Sequence, residues 1–131
     1  MDQQWAFEYH RNTMTIRAEL KGLLCSNFDM RTYVPEVSDS FGFWAELEIG
    51  EHGKNGADLF QVFICTPKWL EREVHEFGPI CEHAKIIVDS YSYGDLESFI
   101  RRTISSIEGH DWGAVASKLR LLALWEFDDY A

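Results

Sequence analysis

Histidine is the side chain most often used for chemistry near neutral pH, and the five histidines of this chain are His10, His52, His75, His83 and His110. Only His75 lies on a predicted helix, where Glu71 precedes it by four residues and would share its helix face. That pair could form half of a metal site or an acid–base pair, but no HExxH pattern surrounds it. The pattern is more typical of a solvent-exposed helix face.

The three cysteines, Cys25, Cys65 and Cys81, do not form a recognisable site either. An odd number without CxxC spacing argues against a disulfide framework and against zinc. Cys65 lies in an apolar segment where burial makes a thiol inert, while Cys81 lies two residues from His83 in a predicted loop. We therefore predict no catalytic residues, no metal, no cofactor and a reduced, cytoplasmic compartment.

Acidic residues interleaved with aromatic residues are the more informative pattern. Trp44, Glu46 and Glu48 alternate along one predicted strand, so they share its solvent-exposed side. Carboxylates pair with lysine and arginine, and tryptophan is a common anchor in protein interfaces. The open alternative is an ordinary wetted sheet face. The residues that we predict to contact a basic partner are Trp44, Glu46, Glu48, Glu51, Asp58, Glu126, Asp128 and Asp129.

The net charge of −10 narrows the classes of partner. An acidic protein is repelled by phosphate backbones and by anionic lipid surfaces, so nucleic-acid and membrane binding are disfavoured. A basic protein partner would be attracted. The same charge is also explained by solubility alone. The N-terminal residues lack the features of a signal peptide, and no apolar run is long enough to span a bilayer.

The length of 131 residues predicts one domain, residues 1–131. Strands are predicted at residues 13–24, 41–49, 59–66 and 85–89, and a short helix at residues 69–77. Helical periodicity then predicts two longer helices, at residues 96–107 and 111–123. This order predicts an α+β fold, with two long C-terminal helices packed on one face of a mainly antiparallel sheet of about four strands. Both Phe63 and Phe99 are predicted to lie in the core.

Two blocks of sequence resemble the bacterial immunity protein 8 family: residues 62–70, VFICTPKWL, and residues 125–130, WEFDDY. Phe41-Gly42-Phe43, Arg101-Arg102 and Trp112 extend this resemblance from about Met14 to Tyr130. It implies a small cytosolic protein from a polymorphic-toxin locus, of the kind found in contact-dependent growth inhibition, that binds and neutralises a cognate toxin and has no enzymatic activity. Residues 2–12 lie outside the resemblance.

The resemblance gives the acidic charge a possible purpose, because an acidic inhibitor can fill the basic cleft of a toxin such as a nuclease. Two other interpretations stay open at this stage. One is a small hydrolase or metal-dependent enzyme that uses His75 with Glu71. The other is an acidic adaptor protein that has no toxin partner.

Overall fold

The alternating sequence of residues 41–49 becomes the centre of a six-stranded sheet. The computed structural model describes residues 15–128. Along the chain, the elements are β1 (Ile16–Leu24), β2 (Gly42–Glu51), β3 (Asp58–Cys65), α1 (Pro67–Phe77), β4 (Lys85–Ile87), α2 (Tyr93–Ser105), β5 (Glu108–Gly109), α3 (Trp112–Leu119) and β6 (Leu124–Trp125). The strand order is β4-β3-β2-β1-β5, and β6 also pairs with β3.

The register of the β2–β3 hairpin separates the two sides of the sheet. Phe43 lies opposite Ile64 and Leu47 lies opposite Phe60, and all four side chains are buried. Trp44 lies opposite Phe63 on the other side. Because side chains alternate along a strand, one side of the hairpin supplies the core and the other carries Trp44, Glu46 and Glu48.

Two helices cover the core side. Leu96, Ile100 and Ile104 of α2 and Val115 and Leu119 of α3 join the buried residues of the sheet in one hydrophobic cluster. Ser92 caps α2 and Asp111 caps α3, each accepting a hydrogen bond from a backbone N–H in the first turn. These caps and the apolar spacing explain why both segments are helical. No helix in residues 15–128 has the length and apolar character needed to cross a membrane.

Helix α1 lies on the opposite side and buries no residue fully. Thr66 is its N-cap and Pro67 its first residue, which suits a helix start because proline lacks only an N–H that would have no partner there. The Trp69 ring packs against Phe63 over Gly42, where a Cβ would lie 2.7 Å from the indole. Glycine at position 42 therefore makes room for this contact.

The α+β class holds, but the predicted layout of the fold is wrong in three respects. The sheet has six strands rather than about four, because β5 and β6 are two-residue strands without a periodic signal. The sheet is mixed, since β4 runs parallel to β3. The helices span only 8 to 13 residues, so the prediction of two long C-terminal helices fails.

The early end of α3 has a local cause. Its apolar stripe continues through Leu122 and Ala123, which made the segment resemble a longer helix. Instead, the Leu122 N–H bonds to the Leu119 carbonyl in a tight turn, and the chain reverses to pair with β3. Two core predictions also fail: Phe63 points away from α2 and α3, and Phe99 is 47% exposed.

Candidate functional site

The side of the sheet opposite α2 and α3 has an open surface, which we call the outward face. It is built from the side chains of Trp44, Glu46, Glu48, Leu59, Gln61 and Phe63. The register places them in three cross-strand pairs, with Trp44 opposite Phe63, Glu46 opposite Gln61 and Glu48 opposite Leu59. The surface therefore has an aromatic end and an acidic end.

The acidic end carries two unpaired carboxylates. Neither Glu46 nor Glu48 forms an ion pair with another residue in the range 15–128. By contrast, Glu19 on the neighbouring strand lies 3.7 Å from the Lys21 ammonium and 3.5 Å from His52 Nδ1. The Glu48 side chain lies over Gly22, where any Cβ would collide with it. The carboxylates of Glu46 and Glu48 are thus available to a cationic partner.

The aromatic end is a contiguous group of rings. The Trp44 and Phe63 ring centroids are 5.2 Å apart, and those of Phe63 and Trp69 are 4.8 Å apart. Trp44 is 42% exposed, so it offers a large ring to solvent while its inner edge is held by Phe63. Lys85 places its ammonium 5.6 Å from the Phe63 centroid and pairs with Glu82 at 2.8 Å. A cation therefore already sits over one ring of this group.

Two of the predicted binding residues lie on the other side of the sheet. Glu51 is opposite the buried Ala18 and Asp58 is opposite the buried Ile49, so both share the helix-bearing side. The Glu51 carboxylate lies 3.4 Å from the Lys54 ammonium. The structure thus separates Glu51 and Asp58 from Trp44, Glu46 and Glu48, although all five come from one hairpin.

The C-terminal acids are anchored to the fold. The Glu126 N–H donates to the Leu59 carbonyl at 2.9 Å, and the Leu59 N–H donates to Glu126 Oε1 at 3.0 Å. Since Leu59 lies opposite Glu48, this places Glu126 at the border of the outward face. Asp128 forms an ion pair with Arg120, at 2.6 Å between oxygen and nitrogen. Asp129, the third predicted acid of this segment, lies outside the described residues.

The residues with catalytic potential are scattered. His75 is exposed on α1, and residues 15–128 contain no group of three histidine, cysteine or acidic side chains arranged to hold a metal ion. Burial raises the pKa of the Cys65 thiol, and Lys85 opposes that shift only in part. A thiol that resists ionisation is a poor nucleophile. Cys81 and His83 are both exposed in the loop before β4.

The comparison with known proteins identifies the family. The sequence model of the immunity protein 8 family matches residues 18–130, most of the chain. The chain belongs to the immunity protein 8 family. No curated protein and no solved structure matches it. The resemblance seen in the sequence is confirmed. Membership in a family of immunity proteins implies that one surface of the chain binds a toxin.

In this immunity protein, sequence reasoning missed Leu59, Gln61 and Phe63 of the outward face, and also Trp69, which packs against Phe63. Residues 59–66 are nearly continuous in apolar side chains, so period two could not show which of them point outward. The strand register supplies that information, because Phe63 pairs with the exposed Trp44. The family match includes β2 and β3, the two strands that form the face, and the helix that carries Trp69.

Proposed function

We propose that this chain neutralises a polymorphic toxin by binding it through the outward face, in the cytoplasm. The observation that carries the proposal is the pair of uncompensated carboxylates of Glu46 and Glu48 beside the exposed ring of Trp44. Membership in the immunity protein 8 family supports a toxin as the partner. The charges favour a basic surface on that toxin.

Charge and aromatic contact have different tasks in this proposal. The net charge of −10 draws a basic toxin toward the protein and raises the rate of association. Trp44 then loses its remaining exposed area against the toxin, and buried aromatic rings typically account for a large share of the binding energy. Glu46 and Glu48 form charge-assisted hydrogen bonds with lysine or arginine side chains.

The protein acts stoichiometrically and performs no chemistry. A basic active site, such as the phosphate-binding cleft of a nuclease, is the surface that the acidic end of the outward face fits best. Covering that cleft keeps the substrate out, because the carboxylates occupy the positions of phosphates. Inhibition then follows from occupancy alone, so one toxin molecule is silenced by each immunity protein.

The other acids contribute unequally. Glu126 lies at the border of the outward face and extends its negative charge. Asp128 and Asp129 follow it in the sequence and add to the negative charge, although Asp128 is already paired with Arg120. Glu51 and Asp58 make contact only with a toxin that reaches over the hairpin to the helix-bearing side.

Co-expression tests this function directly. The chain is produced together with the toxin domain encoded immediately upstream of its gene, and both survival and co-purification are measured. We expect survival and a complex with one copy of each protein. Survival without a complex would instead favour an enzymatic role, and no survival would remove the toxin as partner. The Trp44→Ala variant should lose the complex while keeping its fold.

A further inference from the structure

The helix-bearing side holds an apolar cleft of about 450 Å³ that the outward face does not use. It opens between α2, the segment from β4 to the start of α2, and the turn after α3. Its floor includes the core residues Leu47, Val62, Ile104 and Leu119, each no more than 3% exposed. A side chain that enters the cleft would therefore contact the hydrophobic core itself.

The walls of the cleft expose large apolar side chains. Phe99 of α2 is 47% exposed and Leu122 of the turn is 43% exposed. This exposed apolar area does not stabilise the fold, because apolar surface contributes favourable free energy only when it is buried. Clefts of this volume with apolar walls and a few polar groups are typical of binding sites.

One end of the cleft is acidic. Asp89, in the loop after β4, and Asp95, in the first turn of α2, both line it, and neither forms an ion pair within residues 15–128. Lys85 is the only cation among the described residues that line the cleft, and its ammonium is held over Phe63 and against Glu82. The charge at this end therefore calls for a lysine or arginine from outside.

The cleft and the aromatic end of the outward face meet at β4. Lys85 lies opposite Phe63, while Ile86, the next residue, lies opposite the buried Ile64 on the core side. Only three residues of an edge strand thus separate the two surfaces. A single partner that passes over this edge reaches both.

We propose that the cleft is a second docking site for the same toxin, which inserts an apolar side chain between Phe99 and Leu122 and places a neighbouring lysine or arginine against Asp89 and Asp95. This inference rests on the proposed toxin-binding function. In this proposal, contacts at the outward face determine the fast, salt-dependent association of the toxin, and contacts in the cleft determine its slow dissociation. The toxin segment that fits is therefore apolar with a flanking basic residue.

The experiment measures binding of the immunity protein to the upstream-encoded toxin domain, with separate association and dissociation rates. Phe99→Ala and Leu122→Ala should each speed dissociation about tenfold or more, because each removes a wall of the anchor site. The matched control is Leu121→Ala. Leu121 is 77% exposed and next to Leu122 but does not line the cleft, so dissociation should change less than about twofold. Thermal unfolding confirms that each variant is folded.

A charge variant tests the cleft through a change that a merely structural role of its residues would not cause. Asp89→Asn with Asp95→Asn should weaken binding and reduce its dependence on salt, since two cation contacts are lost. If Phe99→Ala unfolds the protein, Leu122→Ala and this double variant carry the test.

Different results overturn different parts of the account. If the double charge reversal of Glu46 and Glu48 weakens binding but the cleft variants leave dissociation unchanged, the cleft proposal is wrong and the toxin-binding function stands. If the wild-type chain does not bind the toxin, both fall. If the cleft variants change only self-association measured by sedimentation, a second copy occupies the cleft. If Phe99→Ala and Leu122→Ala no longer change dissociation once residues 1–14 are removed, the chain's own N-terminal segment occupies the cleft, and this too overturns the proposal.

Discussion

The Trp112 indole donates a hydrogen bond to Asp58 Oδ2 at 2.8 Å, across 54 positions of sequence. The same oxygen accepts a second indole hydrogen bond, from Trp125 at 3.1 Å. Trp112 begins α3 and Trp125 ends β6, so one carboxylate at the start of β3 ties both C-terminal elements to the hairpin. Asp58, which the sequence predicts to be a binding residue, is therefore held by hydrogen bonds within the fold.

Replacing Asp58 by alanine tests this structural role. Asp58→Ala should lower the free energy of unfolding by about 2–4 kcal/mol, because two partly buried indole N–H groups lose a charged acceptor. Urea unfolding measures the change. Another acid of the same hairpin provides the control, since Glu51→Ala removes only a partly exposed ion pair with Lys54 and should cost less than about 1 kcal/mol. Equal losses in the two variants would show that the indole contacts add nothing.

How far the sequence predicts this fold depends on how local each signal is. Alternation over residues 41–49 predicts β2, and the short helix predicted at residues 69–77 is α1, which begins two residues earlier, because both signals act within a few residues. The two-residue strands β5 and β6 have no such signal, since each is too short to show a period and pairs with a strand far away in sequence. The side of the sheet on which Phe63 lies is likewise set by register with β2, a non-local property.

The residues of the candidate site also differ in whether a local sequence signal predicts their role. Trp44, Glu46 and Glu48 are together in space because they alternate on one strand, so the sequence alone brings them together. Asp58 belongs to the same hairpin, but its partners are Trp112 and Trp125, which the sequence places far away. Distant partners of this kind are invisible to periodicity, and they decide whether an acid is free to bind.

The exposure of Phe99 changes its expected contribution to stability. A loss of about 3–5 kcal/mol applies to a fully buried phenylalanine ring. Because this ring is 47% exposed, Phe99→Ala should cost only about 1–2 kcal/mol. Ile100→Ala, on the buried side of the same helix, should cost about 2–5 kcal/mol. The free energies of unfolding of the two variants are measured side by side. A larger loss for Phe99→Ala than for Ile100→Ala would contradict the assignment of Ile100 to the buried side of α2.

The Tyr91 hydroxyl makes stability sensitive to alkaline pH. It donates to the Met30 carbonyl at 2.5 Å, and burial, together with the nearby Tyr93 and Tyr33, raises the pKa of Tyr91 from 10.0 to about 12. The folded state holds this proton more tightly than the unfolded state. Its contribution to stability is therefore complete below pH 10 and is lost as the pH rises from 10 through about 12.

Tyr91→Phe removes this titration. Between pH 10 and 12, the unfolding free energy of the variant should fall less steeply than that of the wild type, whatever the variant loses at neutral pH through the missing hydrogen bond. Denaturant unfolding across this range measures both slopes. Parallel curves would show that Tyr91 ionises equally easily in both states.

The exposed His75 tests the enzymatic alternative. The carboxylate at the spacing that shares its face of α1 is Glu71, and no metal-holding group surrounds it within residues 15–128. His75→Ala should therefore leave protection against the toxin unchanged, as measured by survival on co-expression. A folded variant that no longer protects would place this histidine in a working site and remove the account of a purely binding inhibitor.

The central claim, that the outward face receives a basic toxin, is tested most directly by association kinetics as a function of salt. Glu46→Lys with Glu48→Lys should slow association with the toxin domain at least about tenfold and flatten its salt dependence, because the steering charges are reversed. Glu36→Lys with Glu108→Lys changes the net charge equally at two exposed acids that are not among the side chains of that face, so it should have the smaller effect. If both double variants slow association equally, only net charge matters and the outward face is not the docking surface.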